Sequence, residues 1–142
     1  MKTYTTPKWS TTWGHSTEMV KVYVDEKLDA MPYAQAGVRF RKYNGAVEMV
    51  LVSYLTDVII VRAGLLACTG TYSATTRKHI GAFMREYFGA SYYDAKKAYE
   101  LNACYQVDTG RYLKLSGNDV IDAETGEIIT DVNVADVAAL AA

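Results

Sequence analysis

Cysteine, proline and histidine are scarce in this 142-residue chain, with two of each. Two cysteines cannot form a disulfide framework, and a chain of this length needs none to bury a core. Cys68 and Cys104 stand alone, without the paired spacing that zinc sites usually show. They read as free thiols in a reducing cytoplasm. With two prolines and a half-apolar composition, long disorder is not expected. Long hydrophobic runs are missing too. The central apolar stretch Val58-Ile59-Ile60-Val61 is far too short to span a bilayer. Met1 to Ser10 is polar, so no signal peptide is expected.

Tyrosine is plentiful, at twelve residues. Its apolar body and polar tip suit half-buried strands and contact surfaces alike. Net charge is −1, unevenly spread. Residues 1–107 hold 13 Lys/Arg against 9 Asp/Glu, and residues 108–142 hold 2 against 7. A basic body with an acidic end points to self-complementarity or to two contact surfaces.

The pattern along the chain predicts one α+β domain over 1–142: an antiparallel β-meander packed by one amphipathic helix, a second helix and C-terminal hairpins. Residues 1–17 read as an irregular arm whose Trp9 and Trp13 dock on the body. Glu18 to Leu28 reads as a strand or a helical turn. Val38 and Phe40 alternate with Arg39 and Arg41, the period of a strand with one buried face. Asn44-Gly45 marks a tight hairpin before Val47 to Leu55, which is apolar on both faces. Thr56-Asp57 is expected to turn or bulge the chain before Val58 to Arg62. Ala63-Gly64 turns it again into a strand over 65–72.

Ser73 then suits a helix N-cap, and Ile80, Phe83, Met84 and Tyr87 form one apolar stripe. Gly89 is the expected stop. Ser91 and Asp94 form a capping-box-like start for a second helix over 92–102. A hairpin over 105–115 turning at 108–110, a smaller one joining Val120-Ile121 to Ile128-Ile129, and an Ala-rich helical tail complete the prediction. The family core is expected over 38–88, and 119–142 is the acidic tail region.

No motif announces catalysis or a metal, and no cofactor is expected. Ser73, Thr75, Thr76 and His79 gather hydroxyls beside an imidazole, the raw material of a nucleophile–base pair. No acidic orienter or strand-turn-helix elbow accompanies them. They read as a structural cap, the hydroxyls holding the helix's free N–H groups and His79 bonding one of those hydroxyls. Asp25-Glu26 and Glu124/Glu127 read as solvated turn carboxylates. A basic helix face carries slightly more weight: Arg77, Gly81 and Arg85 form an i, i+4, i+8 row beside Lys78, with Arg39, Arg41 and Lys42 as additions, although a simple solvated helix face is the favoured reading.

Ser53-Tyr54-Leu55-Thr56, followed by Tyr72-Ser73-Ala74-Thr75-Thr76-Arg77-Lys78-His79-Ile80-Gly81-Ala82-Phe83, resembles a group of small phage and prophage proteins. That group pairs a Ser-Tyr-x-Thr strand with a Tyr-Ser-x-Thr-Thr-x-x-His-Ile-x-x-Phe helix start, and its function is unknown. The matching region is about Val47 to Tyr87. Many relatives carry a Trp-Asp pair before the helix. Here Thr69-Gly70-Thr71 stands instead, so no role of that pair carries over. The resemblance implies a phage or mobile-element accessory protein in the bacterial host's cytoplasm. Such proteins often block host machinery, which makes an inhibitor of a defence system such as CRISPR–Cas the leading expectation.

The expected partner is then a host protein or nucleoprotein complex, with no membrane involved and no catalysis. The acidic segment, with Asp119, Asp122, Glu124 and Glu127, would stand in for a phosphate backbone. The Trp9/Trp13 and tyrosine surfaces are the other candidates. The alternative is a nucleic-acid-binding accessory protein using Arg77, Lys78 and Arg85, with support from Arg39 and Arg41.

Overall fold

A computed structural model of the chain describes residues 9–13, 19–23, 26–43 and 46–141. The fold is α+β and mostly strands. The strands are β1 (Trp9–Trp13), β2 (Met19–Tyr23), β3 (Glu26–Lys27), β4 (Ala36–Tyr43), β5 (Ala46–Ser53), β6 (Thr56–Arg62) and β7 (Leu65–Cys68). Two helices follow, α1 (Ala74–Phe88) and α2 (Tyr92–Glu100). The chain then forms β8 (Cys104–Gln106), β9 (Tyr112–Ser116), β10 (Asp119–Asp122), β11 (Ile128–Ile129) and α3 (Val134–Ala141). All strands join one open antiparallel sheet in the order β1-β2-β4-β5-β6-β7-β8-β9-β10-β11, with β3 also pairing β4. The sheet therefore runs without a break from the expected meander through both C-terminal hairpins.

The N-terminal segment departs from the irregular arm. Residues 9–13 are extended and pair with β2, Trp9 opposite Tyr23 and Trp13 opposite Met19. The docking expected of the Trp9 and Trp13 side chains lies outside the described residues. Within the expected Glu18 to Leu28 element, Met19–Tyr23 and Glu26–Lys27 are strand rather than helical turn.

Tyr43 pairs with Ala46, leaving Asn44-Gly45 as the connection, although those two residues are themselves outside the described ones. The next turn falls at Tyr54-Leu55, ahead of Thr56-Asp57, which already belong to β6. The irregularity of β6 is a bulge. Leu51 pairs with Ile59 and Val52 with Asp57, so Val58 has no opposite number. At Ala63-Gly64 both residues have positive φ, 53° and 74°, which suits a tight hairpin turn.

Strand alternation sorts the core onto two faces. On one face Val38, Phe40, Met49, Leu51, Ile59 and Leu66 pack with Ile80, Phe83, Met84 and Tyr87 of α1 and with Ala95 and Ala98 of α2. On the other, Leu65, Cys104, Leu113 and Val120 pack with Val137 of α3. Neighbours in sequence thus serve opposite faces: Leu66 and Leu65, Tyr105 and Cys104, Tyr112 and Leu113. Central strands buried on both sides explain the doubly apolar runs.

The Ser73 side chain accepts from the Thr76 N–H, and Gly89 ends α1 in the left-handed region at φ 62°. At the start of α2, Asp94 Oδ2 accepts from the Ser91 N–H at 2.9 Å and from its hydroxyl at 3.2 Å. No helix among the described residues is long and apolar enough to cross a membrane.

Candidate functional site

The basic row of α1 ends up in a cleft. The helix turns its apolar stripe to the sheet, which leaves Arg77, Lys78 and Arg85 exposed on the outer side. They meet the start of α2 and the loop after β3 in an open cleft of about 600 Å³, whose other walls include Met31, Gly81, Tyr92 and Tyr93. Gly81 lies at the meeting point of these parts. A Cβ built there would meet Arg85 Nη1 at 3.3 Å and Tyr92 Cβ at 3.7 Å. The guanidinium of Arg85 therefore folds back over Gly81, towards α2.

None of these three cations has an ion-pair partner among the described residues. Arg41, Arg62, Lys97 and Arg111, by contrast, are paired. Arg41 Nη2 contacts Glu48 Oε1 at 2.6 Å and Asp57 Oδ2 at 3.1 Å, and Arg62 Nη2 binds Glu48 Oε2. Lys97 bonds Glu124 at 2.7 Å, and Arg111 reaches Asp131 at 3.1 Å. A cation with no counterion nearby is available to an outside anion.

The expected contributions of Arg39 and Arg41 do not join this site. Val38 and Phe40 face α1, so alternation sends Arg39 and Arg41 to the opposite face of the sheet. Arg41 is spent on Glu48 and Asp57 there, and Arg39 also has partners.

The expected cap cluster divides. Ser73 caps α1 and Thr75 is exposed, but Thr76 and His79 are buried against β5. Ser53 Oγ lies 3.0 Å from Thr76 Oγ1 and 2.8 Å from His79 Nδ1. The partner of His79 is thus a strand hydroxyl rather than one from its own first turn. Tyr54, held at φ 57°, sets its ring 5.9 Å from the imidazole. Burial lowers the pKa of His79, favouring the neutral ring. Ser53 and His79 are each 2% exposed and Thr76 6%, so this contact between strand and helix is closed to a substrate.

The carboxylates also separate. Asp122 Oδ1 accepts from the N–H groups of Glu124 and Thr125, fixing the turn after β10, while Asp119, Glu124 and Glu127 are exposed. Glu26 is not the solvated turn residue expected, because it accepts from the Tyr87 hydroxyl at 3.0 Å. Among the described residues no group of three His, Cys, Asp or Glu could hold a metal. Burial raises both thiols, Cys104 to about 11, so neither is a thiolate at neutral pH.

Sequence reasoning found the three cations but missed Tyr92 and Tyr93. The signal was present as adjacent tyrosines just after the Ser91 cap. It carried no meaning until α2 folded back along α1.

A family model matches residues 21–100, more than half of the chain, and describes a family of unknown function, DUF8033. The chain belongs to DUF8033. No curated protein and no solved structure matches this DUF8033 chain. The matched span contains every cleft residue, from Ala30 to Tyr93, together with Ser53 and His79. The acidic end of the DUF8033 chain, with Asp119, Asp122, Glu124 and Glu127, lies outside it.

Proposed function

We propose that this protein works by binding, without catalysis, and that the cleft between α1 and α2 is its working surface, taking the phosphate backbone of a nucleic acid. The observation that carries the reading is the convergence of Arg77, Lys78 and Arg85, all exposed and without ion-pair partners among the described residues, on one tyrosine-lined cleft. Phosphate contacts of this kind release counterions, so affinity falls steeply with salt.

The test is fluorescence anisotropy against labelled nucleic acid across a salt series. Three phosphate contacts on a single strand give a slope of about −2 in log K against log salt. Reversing all three charges (Arg77→Glu, Lys78→Glu, Arg85→Glu) abolishes binding while the circular dichroism spectrum is unchanged. A flat titration at low salt overturns the reading.

A second reading, a protein partner in the bacterial host cytoplasm such as a component of a defence system, is favoured by a different surface. Tyr33 and Leu55 are 97% and 98% exposed, and Tyr54 is more than half exposed. The Tyr54 N–H donates to the Gln35 carbonyl at 2.6 Å, which draws these two loops together at one end of the sheet. Exposed apolar groups gathered in this way mark contact sites. The phage and defence-inhibitor expectation rests on the sequence resemblance. Phage protection in a plaque assay that is lost on Leu55→Asp with Tyr33→Asp, but kept in the triple charge reversal, would favour this reading over the first.

A further inference from the structure

We propose that Tyr92 and Tyr93 make the cleft selective for single-stranded nucleic acid, with Tyr93 as a platform for an unstacked base. The inference rests on the nucleic-acid reading of the cleft and names the form of nucleic acid it takes.

The two tyrosines are placed differently. Tyr92 is half-buried and packs against the main core, while Tyr93 beside it is 72% exposed. Their rings meet edge to face, with centroids 5.6 Å apart and planes at 62°. Tyr93 keeps most of its surface open beside the cleft that both rings line.

The backbone under the pair is fixed. Asp94 binds the N–H and the hydroxyl of Ser91 through Oδ2, and accepts from the Tyr112 hydroxyl at 3.1 Å through Oδ1. A ring on a clamped first turn loses little freedom when a ligand stacks on it.

The cations face the same space. Arg77 and Arg85, eight positions apart on one helix, are separated by about 12 Å along its axis. The Arg85 guanidinium lies back over Gly81, one turn nearer Arg77, which leaves about 6 Å of axis between the two positions, still longer than the ~3.4 Å per nucleotide of one strand. Basic side chains tracking a backbone beside an open aromatic face are the two parts of a single-strand site. A duplex would use the cations alone, because its base faces are already stacked on one another.

The experiment measures anisotropy for labelled oligo-dT, oligo-U and a DNA duplex of equal length, with the wild type, Tyr93→Ala, Tyr93→Phe and Arg85→Gln. The expected result is tighter binding of single strands than of duplex at the same salt. Tyr93→Ala weakens the single strands roughly five- to a hundredfold, leaving duplex binding and the salt slope unchanged. Tyr93→Phe retains the single-strand preference. Arg85→Gln lowers the salt slope instead, by about 0.7. A preference between oligo-dT and oligo-U, with Tyr93 required for the better of the two, supports the inference. Equal binding of single strands and duplex, unaffected by Tyr93→Ala, overturns it and leaves a purely electrostatic cleft. Failure to bind all three at low salt overturns the nucleic-acid reading as well.

Discussion

Ser53 Oγ and His79 Nδ1 lie 2.8 Å apart, a hydrogen bond that joins the end of β5 to the second turn of α1 across 26 residues of chain. Both residues are almost fully buried, and the same hydroxyl lies 3.0 Å from Thr76 Oγ1. One serine thus ties the helix to the sheet at two points, and the cleft on the helix's outer side inherits its position from that contact.

Ser53→Ala removes the hydroxyl and leaves Nδ1 of His79 buried without a partner. Loss of a buried bond of this kind costs about 1–3 kcal/mol. Thermal unfolding should show a fall in Tm of several degrees, with a much smaller fall for the exposed Thr75→Ala. Equal effects of the two changes would deny Ser53 its special place.

Stability should also depend on pH through His79. Burial lowers its pKa in the folded protein below the ordinary 6.5, so between the two values the unfolded chain binds more protons. Above about pH 6.5 both states are neutral and the residue adds no pH dependence. As pH falls below that value stability drops, and the loss levels off beneath the folded-state pKa. Urea midpoints measured from pH 7.5 down to pH 5 check this, and His79→Gln should flatten that part of the profile.

Glu48 is the acidic centre on the other face of the sheet. It is buried and holds Arg41 and Arg62 through its two oxygens. Glu48→Ala would leave two guanidinium groups facing each other, relieved only by Asp57 at 3.1 Å from Arg41. Breaking a fully buried pair costs about 3–5 kcal/mol, and solvent at Arg62 brings the expected loss here to about 2–4 kcal/mol. A denaturant midpoint within error of the wild type would show that the network contributes nothing net.

Much of the fold was legible because its signals are local. The Ser73 cap, the Ile80-Phe83-Met84-Tyr87 stripe, the Gly89 stop and the Ser91/Asp94 pair each depend on residues within a turn or two, and each appears in α1 or α2. The misplaced turn after β5 shows the limit. Tyr54-Leu55 has no turn composition, and Tyr54 accepts a left-handed φ of 57° with its ring beside His79 and its N–H bonded to Gln35, contacts that come from distant segments. The N-terminal strand was missed for a related reason. Trp9-Ser10-Thr11-Thr12-Trp13 has no apolar alternation, and its pairing with β2 supplies the order that its composition does not.

Sequence alone determined the local chemistry of the helices: where α1 begins and ends, where α2 begins, which stripe of α1 is apolar, and that Arg77, Lys78 and Arg85 share its outer face. Periodicity and capping are short-range, so they survive in one dimension. Tertiary structure decided which groups meet. It sent Arg39 and Arg41 to the far face, gave His79 to Ser53, and brought Tyr92 and Tyr93 alongside the basic row across Gly81. Those outcomes depend on strand pairing and on helix packing between residues far apart in the chain, which no local pattern encodes.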